Sequence, residues 1–440
     1  MVPMKVLVAG DPRSIHTARF AGLLQNLGHE VHVYCAETQY EQEEHLRNVT
    51  LHVALAYRPA VNGNRIVGRA AWLAPLCRSR LVHRVVSRIL HALAEPGKVT
   101  GIGRLVATLR ALRPDLVFSL KMQNEGYVVA ATRAAMGSAF QAPWVHFTWG
   151  TDIEFFGKDP QHAGEHLSLI RDLLARCDFH IADTERDLEQ AKALGFTGRT
   201  LGAMPAAGGF DLDYIRRLRA AQSTGRDTVL IKGRHGGYIG KALHVLEAIR
   251  RRPEAVRGWR VRVFMASRDV AAAAAALRSD LGIDCEVLPR VDYEELLRWY
   301  GRSAVAVSAS DVDGTPAFLL EALAMGAFPV HSDMASLREW VEHGRNGLLF
   351  PVNDVDALAA CLSQALQDAP LMERAAQLNW QIVEQRVDRA RLREKLRQWI
   401  ELAAAGRWPA SRWSFPPTIT RVFSNRQSRV CWRRRIRPWS

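Results

Sequence analysis

Two acids lie on the stretch DGTPAFLLEALAMGAFPV, Asp313 to Val330: Asp313 at its start and Glu321 within an otherwise apolar run. A carboxylate is a pure hydrogen-bond acceptor with room for two hydroxyl donors, and it binds most strongly where water is excluded and its charge is compensated. Between the acids, Gly314, Thr315 and Pro316 make a turn. Thr315 is expected to cap a helix whose first residue is Pro316, leaving the N–H groups of Ala317 and Phe318 free; a helix start of this kind attracts anions through its orphan donors and dipole. Leucines and alanines carry the helix to Met325, Gly326 supplies a left-handed stop, and Pro329 prevents continuation. On spacing alone, two acids at this separation specify no chemistry.

The flanking patterns show what positions them. MKVLVAG (Met4 to Gly10) reads as a strand, Ser14 to Leu27 as a helix closed by Gly28, and HEVHVYC as a second strand, which together make a βαβ unit. Further strands are expected at Asp115 to Leu120, Pro143 to Phe147 and Phe179 to Ala182. The small-residue stretch AMPAAGGFDLD, Ala203 to Asp213, reads as a crossing between domains. The same grammar then repeats: strands at Asp227–Gly233, Trp259–Ser267, CEVLPR, Ala304–Ser310 and FPVHS, with helices at Lys241–Arg251, Ala271–Leu281, Glu294–Tyr300, Asp356–Leu366 and Arg389–Ala405. The expected fold is α/β, two doubly wound Rossmann-like domains facing a shared cleft, with ligands beyond the carboxyl ends of the strands. The expected divisions are residues 1–210, residues 211–385, a helix at 386–405 returning to the first domain, and a basic tail at 406–440 rich in Trp and Arg.

Composition narrows the function classes. The chain has 440 residues, 48% of them hydrophobic, enough for two cores. Apolar runs such as AAAAAAL are too short to cross a bilayer and the sequence enters a strand without a leader pattern, so a cytoplasmic protein is expected. The six cysteines are scattered without a CxxC pair, which argues against a disulfide framework or a zinc cluster. The net charge of +14 is concentrated: six arginines fall among residues 426–440, and Arg78, Arg80, Arg84 and Arg88 lie on an amphipathic stretch at 77–91. An anionic membrane surface is an open partner for 77–91 and 424–440, giving peripheral attachment at the inner membrane face, whereas nucleic acid is not expected as a partner. Charge runs are more often simply solvated. GIG at Gly101 to Gly103 lacks the third glycine of a dinucleotide site.

The continuous text SASDVDGTPAFLLEALAMGAFPVHSDMASLREWVEHGRNGLLFPVNDVDALA, Ser308 to Ala359, resembles the donor-binding domain of retaining glycosyltransferases of the two-domain GT-B architecture, family four. Weaker likenesses lie in GDPRSIHTARFAGLLQNLGHEVHVY, RPDLVFSLKMQNEGY, WGTDIEFFG and KGRHGGYIGKALHVLEAI. The resemblance implies that Asp313, in place of the usual glutamate, contacts donor-sugar hydroxyls and that Glu321 accepts from the ribose. It implies that Arg234 and Lys241 hold the donor phosphates, with Lys232 as a competitor because HGGYIG separates the pair more than is usual. Many relatives carry a histidine after the strand matching DLVFSL, where this chain has Lys121, Met122, Gln123 and Asn124. Retention by front-face displacement leaves the departing phosphate as base. Asn124 would then position sugar, and Asp152 or His16 would orient the acceptor hydroxyl. No metal or other cofactor is expected: Asp211 with Asp213, and Asp311 with Asp313, are not placed as metal sites. Expected partners are a nucleotide-sugar donor and a glycan or glycolipid acceptor. Two other readings share these residues: a sugar-nucleotide epimerase or hydrolase of the same fold, and a non-catalytic basic surface-binding protein.

Overall fold

A computed structural model describes residues 2–37, 40–56, 59–69, 101–160, 163–222, 225–236 and 239–405. The basic stretches at 77–91 and 424–440 lie outside the described residues. Eight strands form a first, wholly parallel sheet: β1 (Lys5–Ala9), β2 (Glu30–Tyr34), β3 (Thr50–Leu55), β4 (Arg65–Arg69), β5 (Leu116–Leu120), β6 (Trp144–Thr148), β7 (Phe179–Ala182) and β8 (Arg199–Ala203). Their order is β4-β3-β2-β1-β5-β6-β7-β8. Six more, β9 (Thr228–Lys232), β10 (Arg260–Phe264), β11 (Cys285–Val287), β12 (Ser303–Ser308), β13 (Phe328–Ser332) and β14 (Leu348–Phe350), form a second parallel sheet. That sheet runs β11-β10-β9-β12-β13-β14, the doubly wound pattern whose order reverses beside its first strand. The reversals fall between β1 and β5 in one sheet and between β9 and β12 in the other. The loops after β5, β9 and β12 carry Asn124, Arg234, Lys241 and Asp313, whereas Asp152 follows β6 and Glu321 lies in the helix after the β12 loop.

Each sheet is buried on both faces, which is why its central strands read as unbroken apolar runs rather than alternations. In the first sheet, Val6, Val8 and Phe118 face the helix Ile15–Asn26, while Leu7, Val117 and Trp144 face the helices Ile102–Leu112, Tyr127–Met136 and Ala163–Arg176. The last described helix, Arg389–Ala405, packs Leu392, Leu396, Trp399, Ile400 and Ala403 into that first core. Its return runs beside the outward crossing: the Phe210 amide donates to the Val387 carbonyl at 2.8 Å, and the Arg389 amide to the Phe210 carbonyl at 2.8 Å. Gly209 is obligatory there, since its φ is +69° and a Cβ would stand 2.5 Å from the Val387 oxygen.

Among the elements that escape the sequence reading are β3, β4, β8 and β14. The strands β3, β4 and β8 lie at the ends of the first sheet and are only partly buried, and β14 is three residues long, too brief to show a period. The helix Ala369–Arg386 buries only Leu371, Ala375, Asn379 and Val383, a narrow stripe broken by a polar residue. One terminus is displaced by a residue. Pro316, with φ −65° and ψ 130°, occupies the cap of the helix Ala317–Met325, and Thr315 lies outside it.

The Trp399 ring closes the first core against Gly202, where a Cβ would stand 2.9 Å from the indole. Trp399→Ala should therefore lower stability by about 3 kcal/mol, read as a fall in the midpoint of urea unfolding; an unchanged midpoint would mean that this helix contributes nothing to the core.

Candidate functional site

The loop after β12 holds Asp313 by its main chain rather than by its carboxylate. The Arg186 guanidinium donates to the Asp313 carbonyl at 3.2 Å and the Ser336 hydroxyl to the same oxygen at 2.9 Å. The Asp313 carboxylate accepts the Gly314 amide at 2.9 Å and remains half-buried. Thr315 does not cap the helix because it is engaged across the molecule: its amide donates to Asp183 Oδ2 at 2.7 Å, and its hydroxyl to the Asp183 carbonyl at 3.1 Å. The amides of Gly314 and Thr315, in the turn before the helix, are thus committed. The Leu319 and Leu320 amides both bond the Pro316 carbonyl, which leaves Ala317 and Phe318 as the first-turn donors in front of the helix.

Glu321 is 6% exposed, the single charged residue of that helix. Burial pushes its carboxyl above the ordinary range, opposed by the positive charges of Arg19 and Lys232. The hydroxyls of Tyr293 and Tyr300 lie beside it, that of Tyr300 without an aligned hydrogen bond. Arg19 comes from the first sheet's helix Ile15–Asn26; its guanidinium sits 5.3 Å over the Tyr293 ring and donates to the Ala207 carbonyl at 3.2 Å. The resemblance pointed to Glu321 but could not reveal Arg19, whose charge acts on it from 302 positions away.

The two ends of the segment HGGYIG lie together: His235 pairs with Lys241 in a β-bridge, and the Gly236 amide donates to the Gly240 carbonyl at 3.2 Å. Its ends therefore meet, so the extra residues do not separate Arg234 from Lys241. Arg234 is exposed, whereas the Lys241 ammonium is 2.7 Å from Asp311 Oδ2. Lys241 thus reaches the cleft already half-compensated. Lys232 faces Glu321 and His331.

At the carboxyl edge of the first sheet, Asp11, Glu37, Lys121 and Glu125 share one electrostatic neighbourhood. Lys121 Nζ lies 3.3 Å from Glu125, which is wholly buried and whose carboxyl is pushed up to about 7. Asn124 is exposed and donates to Glu37 at 3.2 Å. Lys121 and Asn124 both adopt positive φ, 60° and 66°, conformations costly to side-chain-bearing residues. Asp152 does not face the cleft. It is 2% exposed, and its Oδ2 accepts the Trp149 amide at 2.8 Å and the Met122 amide at 3.0 Å, the geometry of a loop-capping aspartate. His16 packs edge-on against Trp149 at 5.3 Å with Nδ1 3.2 Å from the Ala206 carbonyl, and burial pushes it down to about 4, so it is neutral. Asp183 and Arg186 gave no recognised signal in the sequence, since each acts on backbone atoms.

Comparison with known proteins bears on the fold. Residues 226–368 match the sequence profile of the family described as glycosyl transferases group 1. An exopolysaccharide phosphotransferase of Streptomyces coelicolor is 28% identical over 131 residues, which is 29% of this chain and 14% of that protein. Sucrose-phosphate synthase from Thermosynechococcus elongatus superposes with a TM-score of 0.65 at 15% identity, over 92% of this chain and 100% of its own. Anabaena HepE in complex with UDP-glucose gives 0.61 at 16%, over 91% of this chain and 100% of its own. The fold is GT-B.

An acid pushed up by folding binds more protons in the native chain than in the unfolded one, so its stabilising contribution is greatest in acid and is lost as pH rises through the folded value. Burial pushes Asp152 up to about 8 and Asp183 to about 7, so this window runs upward from the ordinary carboxyl range. Asp152→Asn keeps an acceptor for both amides but removes the titration. Its melting temperature should fall less steeply than that of the wild type between about pH 6 and about pH 8; an identical slope would remove Asp152 from the balance.

Proposed function

We propose that the protein is a retaining glycosyltransferase that moves a sugar from a nucleotide-sugar donor, a UDP- or GDP-sugar, to a hydroxyl of a cell-envelope glycan or its lipid-linked precursor. The observation that carries this reading is the buried Glu321 on the same short helix whose first amides, with Asp313, border the cleft. In this reading Glu321 accepts the ribose hydroxyls, a role favoured by a desolvated carboxylate flanked by cations. The Ala317 and Phe318 amides, with Arg234, Lys232 and Lys241, face the diphosphate. Fixed positive charge placed where negative charge develops on the departing nucleotide lowers the barrier without reorganisation. Asp313 takes sugar hydroxyls, and the leaving phosphate oxygen removes the acceptor proton as the new glycosidic bond forms on the same face. No metal is invoked.

The profile match over residues 226–368 supports the activity class, and the UDP-glucose held by HepE supports a UDP donor. The name of the Streptomyces relative supports a polysaccharide acceptor. On the acceptor side, Asn124 remains the exposed polar residue of its loop, with Lys121 nearby, while the Asp152 geometry favours a structural role. A cytoplasmic location at the inner membrane face follows from this substrate class.

A thermal-shift panel of UDP-, GDP-, ADP- and CMP-sugars should give a rise with one nucleotide class; at a hundredfold excess over Kd the stabilisation is about 2.7 kcal/mol. Glu321→Ala should abolish that shift. Persistence of the full shift in Glu321→Ala would place the donor elsewhere.

A further inference from the structure

Around Asp313 the two halves of the molecule meet backbone to backbone. A Cβ on Gly150, in the turn after β6, would stand 1.9 Å from Gly314 Cα and 2.4 Å from its nitrogen. A Cβ on Gly314 would stand 2.7 Å from Gly150 Cα and 2.1 Å from Asp183 Oδ2. Neither glycine is among those with positive φ. Their own conformations tolerate a side chain, so the lack of one serves the close approach.

The contact is flanked by preset polar groups. Asp183, at the end of β7, accepts the Thr315 amide through Oδ2 and the Ala206 amide through Oδ1 at 2.9 Å. Arg186 is clamped by Asp187 at 3.0 and 2.8 Å, and it donates both to the Gly150 carbonyl at 2.7 Å and to the Asp313 carbonyl at 3.2 Å. From the second half, the Glu339 carboxylate accepts the Glu185 and Arg186 amides at 3.1 and 3.0 Å, capping the helix that carries Arg186. Every one of these groups acts on the main chain of the loop or on its neighbours, and none depends on the identity of a ligand.

We propose that Asp183 and Arg186 are positioning residues for Asp313: from the opposite domain they fix residues 313–315 through their backbone, and the Gly150–Gly314 contact sets how close the two halves come. The role assigned to Asp313 rests on the transferase reading given above; the mechanical coupling does not. It has a consequence for specificity, because the Thr315 amide is occupied by Asp183 and is withheld from the donor. The sugar then meets the Asp313 carboxylate, while the nucleotide end is held chiefly at Glu321.

Gly150→Ala tests this directly, with Asp183→Asn as the second variant and Gly22→Ala, whose Cβ would meet nothing within 4 Å, as the control. A misplacement of about 1 Å costs about a hundredfold in rate. Gly150→Ala should therefore lower kcat by about that factor with donor KM changed by less than about threefold, and with the nucleotide-induced thermal shift retained. Asp183→Asn should behave alike, since an amide supplies one acceptor where the carboxylate supplies two. Wild-type kcat in both variants overturns the proposal. Amide hydrogen exchange keeps the outcome separate from the transferase reading: peptides covering 313–320 should lose protection in both variants, whether or not any nucleotide binds. Unchanged protection overturns the positioning role. Absence of any nucleotide shift in the wild type, alongside lost protection in the variants, sinks the transferase reading and leaves the coupling standing.

Discussion

The carboxylate of Asp183 links an amide of its own half to one of the other. Asp183 lies at the end of a strand of the first sheet and accepts from Ala206, in the segment leading out of that sheet, and from Thr315, in the loop that opens the acid-bearing helix of the second. Removing this charge from water is costly, and its carboxyl is pushed up to about 7 by burial, with Asp187 and Asp313 adding like charge. Directed amide dipoles offset part of that cost. A loop fixed in this way is restrained before any ligand arrives, which is the form of preorganisation most useful to a site that works by electrostatics.

The same tension recurs in other buried acids. Glu125, Asp152, Asp183 and Glu321 are all raised by desolvation, and they are compensated in three ways. Glu125 has an ammonium, Asp152 and Asp183 have paired amides, and Glu321 has two cations at longer range. Both oxygens of Glu125 lack an aligned hydrogen bond, and the Tyr293 and Tyr300 hydroxyls already lie beside Glu321, so burial and compensation alone do not tell these acids apart.

Much of the fold was legible because parallel strands buried on both faces leave long apolar runs, and because Gly28, Gly326 and the helix caps punctuate them. The strands β1, β2, β5, β6, β7, β9, β10, β12 and β13 coincide with expected stretches to within a few residues. The stretch from Asp313 to Val330 was legible for the same reason, except that Thr315 turned outward to a residue 132 positions away and shifted the cap. Of the site, sequence indicated the acids and the basic segment, but not which basic group is compensated, since the pairing of Lys241 with Asp311 depends on how the intervening loop returns. Asp152 was misjudged for a related reason: a carboxylate at a strand end reads the same whether it faces the cleft or caps two buried amides.

The paired crossings at Phe210 and Val387 give the chain an unusual genealogy of parts. Since the polypeptide leaves the first core beside the point at which it comes back, everything between is in effect a single long excursion inserted into another protein's sequence. Both seams are buried, Phe210 and Val387 belonging to the second core, and they lie side by side on one hydrogen-bonded ribbon. The second sheet and its helices therefore hang from the first core by one paired seam rather than by two separate joints, so a displacement of either strand of that seam is passed directly to the other.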